Sequence, residues 1–213
     1  MSSPPFTSTS ALVLIDVQNE FLSPQGNFPI SDMIRPFLLN NLKTLIPRFR
    51  AGNGRIIWVQ AIYANRESEP PIMAAQEKGT GIVGSNNWLI SATHVFEVPC
   101  CEANTWGSNI HPELLKLAEK GDEVVFKQGY SAYWNGNHSL SDVLKEKGIT
   151  DAYFCGVASG TCVLATVIDS VARGEVQVHV LPDCMGWRRE NTHHEAVKRF
   201  EELGVDVVPS HQI

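Results

Sequence analysis

Short apolar runs alternate with segments of helical periodicity along most of this chain. Residues 11–17 (ALVLIDV) form a continuous apolar run around one acid, which is typical of a strand covered on both faces of a parallel sheet. Similar patterns predict further strands over 55–62, 123–126, 152–156, 176–181 and 205–208. Helical spacing predicts helices over 32–50, 112–120, 139–147, 161–172 and 192–203. Six β segments that mostly alternate with helices predict an α/β fold with a doubly wound, mostly parallel six-stranded sheet.

The N-terminal segment and one internal stretch depart from this rhythm. Residues 1–10 are polar, rich in Ser, Thr and Pro, and lack a basic segment before an apolar core, so they predict a flexible tail and no signal peptide. Residues 67–101 contain paired prolines and several glycines without a regular period. Such a stretch inside a compact domain is typical of a lid or an oligomer contact. Because no internal repeat is visible, residues 11–213 are predicted to form a single domain.

Composition narrows the class of protein. A chain of 213 residues is long enough for one domain with a sizeable core. Its formal charge of −6 includes no block of like charge, and no apolar run could cross a bilayer, so we expect neither a nucleic-acid nor a membrane partner. The five cysteines are odd in number and several lie in apolar surroundings. This usage favours a reducing, cytoplasmic compartment over a disulfide framework.

Three residues of complementary chemistry lie where separate predicted strands end. Asp16 is near the end of the first strand, Lys127 directly follows the third, and Cys162 begins the helix after the fourth. In an open parallel sheet, ligands bind in the crevice outside the carboxyl ends of the strands. A carboxylate, an ammonium group and a thiol that met there would supply the groups for thiol-based acyl transfer. We therefore predict these three residues to be catalytic.

Residues 155–162 (CGVASGTC) predict a strand, a tight turn and the start of a helix. At a helix N-terminus, Cys162 would feel unpaired amides and the positive end of the helix dipole, which lower the pKa of a thiol and favour the thiolate. The same amides could hold an oxyanion. The alternative is that Cys162 fills the core as a small hydrophobic residue, as we expect of Cys155.

Asp16 and Lys127 each have a structural alternative to a catalytic role. An unpaired carboxylate is costly to bury in an apolar strand. Asp16 therefore either caps the following loop or serves as general base for the thiol of Cys162, with its pKa raised towards neutrality. Lys127 either extends into solvent, as most lysines do, or holds the two anionic groups in place.

Aromatic residues near the same strand ends are candidates for a substrate pocket. Tyr130 and Tyr133 lie in the segment after the third strand, and Tyr63 follows the second. Trp106 precedes a predicted helix, where an ordinary lead-in is the alternative. Surface or interface packing would also explain such side chains. Together with Phe21, we predict these residues to bind the substrate.

Several segments, in this order, resemble the isochorismatase-like cysteine hydrolase family. They are residues 15–21 (IDVQNEF), 106–107 with 110–114 (WG and IHPEL), 127–133 (KQGYSAY) and 156–163 (GVASGTCV). The resemblance covers nearly the whole predicted domain. It implies a three-layer α-β-α fold around the sheet, a hydrolase acting on a small molecule, and a homo-oligomer, either dimer or tetramer.

The resemblance also implies the residues of the site. Its catalytic triad maps onto Asp16, Lys127 and Cys162, the residues already reached from the strand pattern. It further implies a cis peptide bond between Val157 and Ala158. The backbone amides of Ala158 and Cys162 would then form the oxyanion hole.

Two departures from the family pattern refine the expected chemistry. Nicotinamidases of the family carry an Asp-x-His metal motif after the second strand, whereas residues 63–67 read YANRE here, so we expect no metal and no other cofactor. Isochorismatases lack a cysteine at the nucleophile position. Here Cys162 stands six residues after Gly156, as in the amide-cleaving members.

These features predict a cysteine-dependent hydrolase that cleaves a C–N bond of a small amide or ureido substrate through a thioester. One alternative is vinyl-ether hydrolysis of isochorismate, in which the acid matters and the cysteine does not. Another is a non-enzymatic, oligomeric binding protein on the same fold. The motifs do not identify the substrate, because we expect the irregular stretch 67–101 to shape the pocket.

Overall fold

The computed structural model describes residues 6–63, 98–133 and 138–213. The strands in these ranges are β1 (Ser10–Ile15), β2 (Arg55–Ala61), β3 (Glu123–Lys127), β4 (Asp151–Gly156), β5 (Gln177–Met185) and β6 (Asp206–Val207). The α-helices are α1 (Asn19–Leu22), α2 (Arg35–Ala51), α3 (Pro112–Leu115), α4 (Leu140–Glu146), α5 (Leu164–Arg173) and α6 (Glu190–Glu202). A π-helical turn spans Ser159–Val163 and a 3-10 turn spans Ser210–Gln212.

The described strands form one sheet, parallel throughout, in the order β3-β2-β1-β4-β5-β6. β1 is central, and Ile15 at its carboxyl end is level with Val59 of β2 and Gly156 of β4. The strand order reverses at β1, because β2 lies on one side of it and β4 on the other. Such a reversal opens a crevice at the carboxyl ends. The predicted doubly wound α/β sheet is therefore confirmed.

Both faces of the sheet are buried, which explains the uninterrupted apolar sequence of β1. Alternate residues of a strand point to opposite faces, and Val13 packs in one core while Leu12 and Leu14 pack in the other. Helices α4, α5 and α6 cover the first face, and α2 and α3 cover the second. The three-layer architecture implied by the family resemblance is thereby confirmed.

Helix α2 continues through Pro47, although a proline inside a helix usually kinks or breaks it. Pro36 lies in the first turn, where its missing N–H removes no helical hydrogen bond. Pro47 lies inside the helix, which nevertheless runs on to Ala51 without a split. Ile46 and Phe49 on either side of Pro47 are buried. Packing of this face against the sheet therefore outweighs the hydrogen bond that Pro47 removes.

Residues 6–10, assigned from sequence to a flexible tail, pack against the rest of the chain instead. The Phe6 side chain is buried, with its ring centroid 3.9 Å from that of Phe49. Ser10 opens β1 and is level with Asp151 of β4. Burial of a large aromatic ring offsets the loss of chain freedom over these few residues.

Other differences from the predicted elements are local. Helix α1 was not predicted, α3 ends at Leu115 instead of residue 120, and β5 extends to Met185 instead of residue 181. Most of the stretch predicted to be irregular, residues 67–97, lies outside the described residues. Its last part is described, and Cys100 and Cys101 there are buried. No helix within the described ranges is both long and apolar enough to span a membrane.

Candidate active site

Asp16 occupies the first position after β1, at the carboxyl edge of the sheet. Its backbone N–H still donates to Val59 O at 2.9 Å, while its φ of +51° turns the chain out of the strand. Asp is one of the few residue types enriched in this left-handed region. The turn leaves the carboxyl group with no exposed surface.

Lys127 is the last residue of β3, level with Ala61 of β2. Its Nζ lies 2.9 Å from Asp16 Oδ2 and donates to Gly129 O at 2.9 Å. Neither charged side chain of this pair has exposed surface. Because lysine is almost never fully buried unless it is paired, the alternative of a lysine extended into solvent is wrong.

Cys162 lies in the π-helical turn that leads from β4 into α5. Lys127 Nζ donates to its Sγ at 3.3 Å, and Tyr63 Oη lies 3.9 Å from the same sulfur. The structure therefore brings together the acid, the amine and the thiol that were predicted from separate strand ends. Their catalytic role stays a prediction.

Burial sets the protonation states of these groups at rest. Desolvation raises the pKa of Cys162 to about 12; the charge of Asp16 adds to this effect and Lys127 opposes it. Desolvation also raises the pKa of Asp16, against the opposing charge of Lys127. For Lys127, desolvation acts to lower the pKa, but Asp16 and Cys162 outweigh it and the pKa is raised. Near neutral pH the site therefore holds a neutral thiol beside an ammonium group.

The lowered pKa expected for Cys162 is wrong. The sulfur does lie at the start of a helix, but the residue is only 5 % exposed and its thiol faces a carboxylate. Desolvation and the negative charge of Asp16 raise the pKa of the thiol by more than the helix N-terminus and Lys127 lower it. A thiolate at this site therefore requires a proton acceptor close by.

The turn between β4 and the π-helical turn has a constrained backbone. The Val157–Ala158 peptide bond is cis, as the family resemblance implied. Gly156 has a φ of +110°, and a Cβ there would lie 2.1 Å from Ile15 O, so no other residue fits without a shift of the backbone. The Val157 N–H donates to Ile15 O at 2.8 Å, whereas the Ala158 N–H donates to none of the described residues. The Ala158 amide is thus available to a ligand.

A cavity of about 380 Å³ opens onto the thiol, and volumes of this order suit small-molecule ligands. The described residues that line it are Phe21, Phe28, Ile30, Tyr63, Cys100, Tyr130, Ala158, Thr161, Cys162 and Arg188. Three of the residues predicted to bind substrate, Phe21, Tyr63 and Tyr130, are among them.

Trp106 and Tyr133 do not line this cavity, which corrects their expected position. Trp106 is half exposed, and its carbonyl accepts a hydrogen bond from Asn19 Nδ2 at 2.9 Å. Tyr133 is buried against α5, where its hydroxyl donates to Ser170 Oγ at 2.9 Å. The path of the loop after β3 directs Tyr133 away from the cavity.

The sequence did not indicate several lining residues, namely Phe28, Ile30, Cys100, Thr161 and Arg188. Phe28 and Ile30 come from the loop after α1, and Cys100 comes from the segment before α3. The loop that carries Phe28 and Ile30 follows a helix and not a strand. Arg188 lies beyond the carboxyl end of β5, so the argument from strand ends that identified Asp16 and Lys127 applies to it as well.

Gln18 fixes the carboxyl ends of β1 and β2 to each other. Its Oε1 accepts from the Ala61 N–H at 2.8 Å, and its Nε2 donates to Ala61 O at 2.9 Å and to Ser108 O at 2.8 Å. The side chain is fully buried. Because Asp16 and Tyr63 lie two residues from these bonded positions, the network holds the backbone from which both side chains project.

Residues 64–67, where nicotinamidases carry their metal motif, lie outside the described residues. Elsewhere, within the ranges that the structure does describe, no group of three or more His, Cys, Asp or Glu side chains is arranged to hold a metal ion. The absence of a cofactor stays a prediction from the sequence.

Comparisons with known proteins agree with this architecture. Residues 10–212 match the isochorismatase domain family. The ureidoacrylate amidohydrolase RutB of Yersinia enterocolitica is 27% identical over 168 residues, which span 76% of this chain and 69% of that protein.

Solved structures of similar proteins align with almost the whole chain. N-carbamoylsarcosine amidase from Thermoplasma acidophilum has a TM-score of 0.70 and 21% identity, covering 96% of this chain and 98% of that one. Nicotinamidase PncA from Bacillus subtilis has a TM-score of 0.73 and 18% identity, covering 94% of this chain and 99% of that one. At these identities the likeness establishes the fold alone. Because the family match spans nearly the whole sequence, this chain belongs to the isochorismatase domain family.

Proposed function

We propose that this protein is a cysteine-dependent hydrolase that cleaves a C–N bond of a small amide or ureido compound through a thioester. One observation carries the proposal. Cys162 Sγ lines a cavity and lies 3.3 Å from Lys127 Nζ, which is itself 2.9 Å from Asp16 Oδ2. The amidohydrolase that the chain resembles supports the type of bond, and the two amidases share the fold.

Asp16 is the general base in this scheme. Because burial raises the pKa of its carboxyl group, it accepts the proton of the Cys162 thiol more readily than an ordinary Asp would. As the proton moves, negative charge passes from the carboxylate to the sulfur. Lys127 contacts both groups, so its ammonium stabilises the charge at either end of the transfer without moving.

The thiolate then attacks the carbonyl carbon of a substrate in the cavity. A C–S bond forms and an electron pair moves onto the carbonyl oxygen, where the free amide of Ala158 and the amide of Cys162 would stabilise it. Asp16 returns its proton to the leaving nitrogen, the C–N bond breaks, and ammonia or an amine departs. Water, deprotonated by Asp16, attacks the thioester carbonyl and forms a C–O bond. The C–S bond then breaks, the acid departs, and Asp16 returns the proton to the Cys162 sulfur.

Removal of the sulfur tests this scheme. Cys162→Ala should abolish release of ammonia from a panel of small primary amides and ureido acids. The acyl adduct that mass spectrometry detects after acid quench should disappear with it. The matched control is Cys184→Ala, which removes a buried thiol that does not line the cavity and should keep both signals. Hydrolysis retained by Cys162→Ala would overturn the mechanism.

The family description favours one second candidate, vinyl-ether hydrolysis of isochorismate. That reaction depends on the acid Asp16 and needs no nucleophilic sulfur. Assays of isochorismate with the wild type and with Cys162→Ala separate the two candidates. Equal turnover by both proteins would support the vinyl-ether reaction, and no turnover by either would exclude it.

A further inference from the structure

Among the described residues that line the cavity, Arg188 is the only one with a charged side chain. The lining around it is largely apolar, with aromatic side chains such as Phe21 and Phe28. Asp16 and Lys127 have no exposed surface and compensate each other's charge. To a ligand in the cavity, the described residues therefore present a single positive group.

Backbone hydrogen bonds hold the segment before Arg188 against the turn that leads to Cys162. Two residues earlier, Gly186 O accepts from the Ser159 N–H at 2.9 Å. One residue earlier, Trp187 O accepts from the Ser31 N–H at 2.8 Å. The position of the Arg188 backbone is thus fixed relative to the turn that carries the free amide.

The Arg188 guanidinium forms no ion pair with any carboxylate of the described residues. It lies over the Phe28 ring, 5.8 Å from the centroid, and such a contact orients a guanidinium without neutralising it. Arginine presents a planar fork of donors that matches the two oxygens of a carboxylate. A guanidinium of this kind at the wall of an apolar cavity suits an anionic group on the ligand.

We propose that Arg188 determines the specificity of this site by binding a carboxylate of the substrate. Resting on the proposed function, this assignment narrows the substrate class to small amides or ureides that carry a carboxylate apart from the scissile C–N bond. The carboxylate pairs with the guanidinium while the scissile carbonyl lies over Cys162 Sγ. Loss of such a charge-assisted pair weakens binding by about ten- to a hundred-fold.

Matched pairs of acid and ester test the assignment. For succinamate and β-ureidopropionate, wild-type kcat/KM should exceed that for the corresponding methyl esters by about tenfold or more. Arg188→Gln should remove this preference by lowering kcat/KM for the acids alone, and Arg188→Lys should retain part of it. Arg189→Gln alters a neighbouring exposed arginine that does not line the cavity, and should leave the ratio unchanged. Equal losses on acids and esters, or no preference in the wild type, would overturn the assignment.

A binding experiment separates this inference from the proposed function. If no compound releases ammonia, the proposed function fails, and calorimetric titration of the same acids and esters into Cys162→Ala decides the inference alone. Tighter binding of the acids that is lost in Arg188→Gln/Cys162→Ala would support the carboxylate site. Equal affinities, or no binding of either compound, would contradict it.

Discussion

Lys127 Nζ lies 2.9 Å from Asp16 Oδ2, and neither side chain has exposed surface. The two residues come from β3 and from the end of β1, with β2 between them in the sheet. The same ammonium donates to Cys162 Sγ at 3.3 Å. One buried ammonium group therefore contacts both the acid and the thiol of the candidate site.

Lys127→Met should lower the free energy of unfolding near pH 7 by about 3–5 kcal/mol, because Asp16 loses its counter-ion in a buried site. Asp16→Asn/Lys127→Met should recover part of this loss, since neither charge remains. Urea denaturation followed by circular dichroism measures both changes. Lys145→Met removes an exposed lysine paired with Glu175, and as a control should cost less than about 1 kcal/mol. A double variant as unstable as the single one would exclude the charge of Asp16 as the cause.

Asp16→Asn should reduce kcat/KM by about 10²–10⁴-fold, because the amide cannot accept the thiol proton. In the wild type, the pKa of Asp16 is raised above the ordinary 3.8, so kcat/KM should rise with pH through this raised value. The raised pKa values of Cys162 and Lys127 place the decline in the strongly alkaline range. The pKa values read from the acidic and alkaline sides of this pH profile belong to the three coupled groups together and not to single residues.

Measurement of kcat/KM against pH for the wild type and for Asp16→Asn checks whether Asp16 causes the rise at acidic pH. Circular dichroism confirms that the variant is folded. The acidic limb should vanish in the variant. An acidic limb that persists unchanged in Asp16→Asn would assign it to another group.

Asp169→Asn should stabilise the protein at pH 8 by on the order of 1–3 kcal/mol and have little effect at pH 4. Asp169 lies in α5, and burial raises its pKa to about 7 against the opposing effects of Ser131 and Arg173. Because the pKa of Asp169 is higher in the folded protein than in the unfolded chain, its contribution to stability is fully present at a pH below the unfolded pKa of 3.8. This contribution is lost as the pH rises through the folded pKa of about 7. Chemical denaturation at the two pH values measures the difference. Destabilisation at pH 8 would show that partners bind the ionised carboxylate.

Gly156→Ala should destabilise the protein by at least about 2 kcal/mol more than Gly148→Ala does. Both glycines have positive φ, +110° and +62° respectively, but only at Gly156 would a new Cβ meet backbone, 2.1 Å from Ile15 O. At Gly148 nothing lies within 4 Å. Thermal unfolding of the two variants provides the comparison. Similar losses in both would show that the strand end yields without cost.

The residues that could be predicted from sequence are those whose position follows from strand pattern and parallel topology. Asp16, Lys127 and Cys162 each lie at or just beyond the carboxyl end of a strand, and a parallel sheet places all such ends along one edge. The apolar pattern therefore predicts both the strand that carries each residue and the side of the sheet on which the residue lies.

Burial depth and side-chain direction could not be predicted in the same way. The pKa of Cys162 is raised instead of lowered, because desolvation depends on the packing around the sulfur. Tyr130 lines the cavity, whereas Tyr133 packs on α5, since the path of a short loop decides between them. Cys100 reaches the cavity from a segment with no periodic pattern.

A parallel sheet has a second edge, where every strand begins. Ser10 opens β1 at that edge, and the six residues to Ile15 span about 20 Å at roughly 3.3 Å each. A surface linker or fluorophore attached at exposed Ser8 would therefore lie on the far side of the molecule from the mouth of the cavity. Immobilised protein oriented in this way would leave the mouth facing the bulk solution.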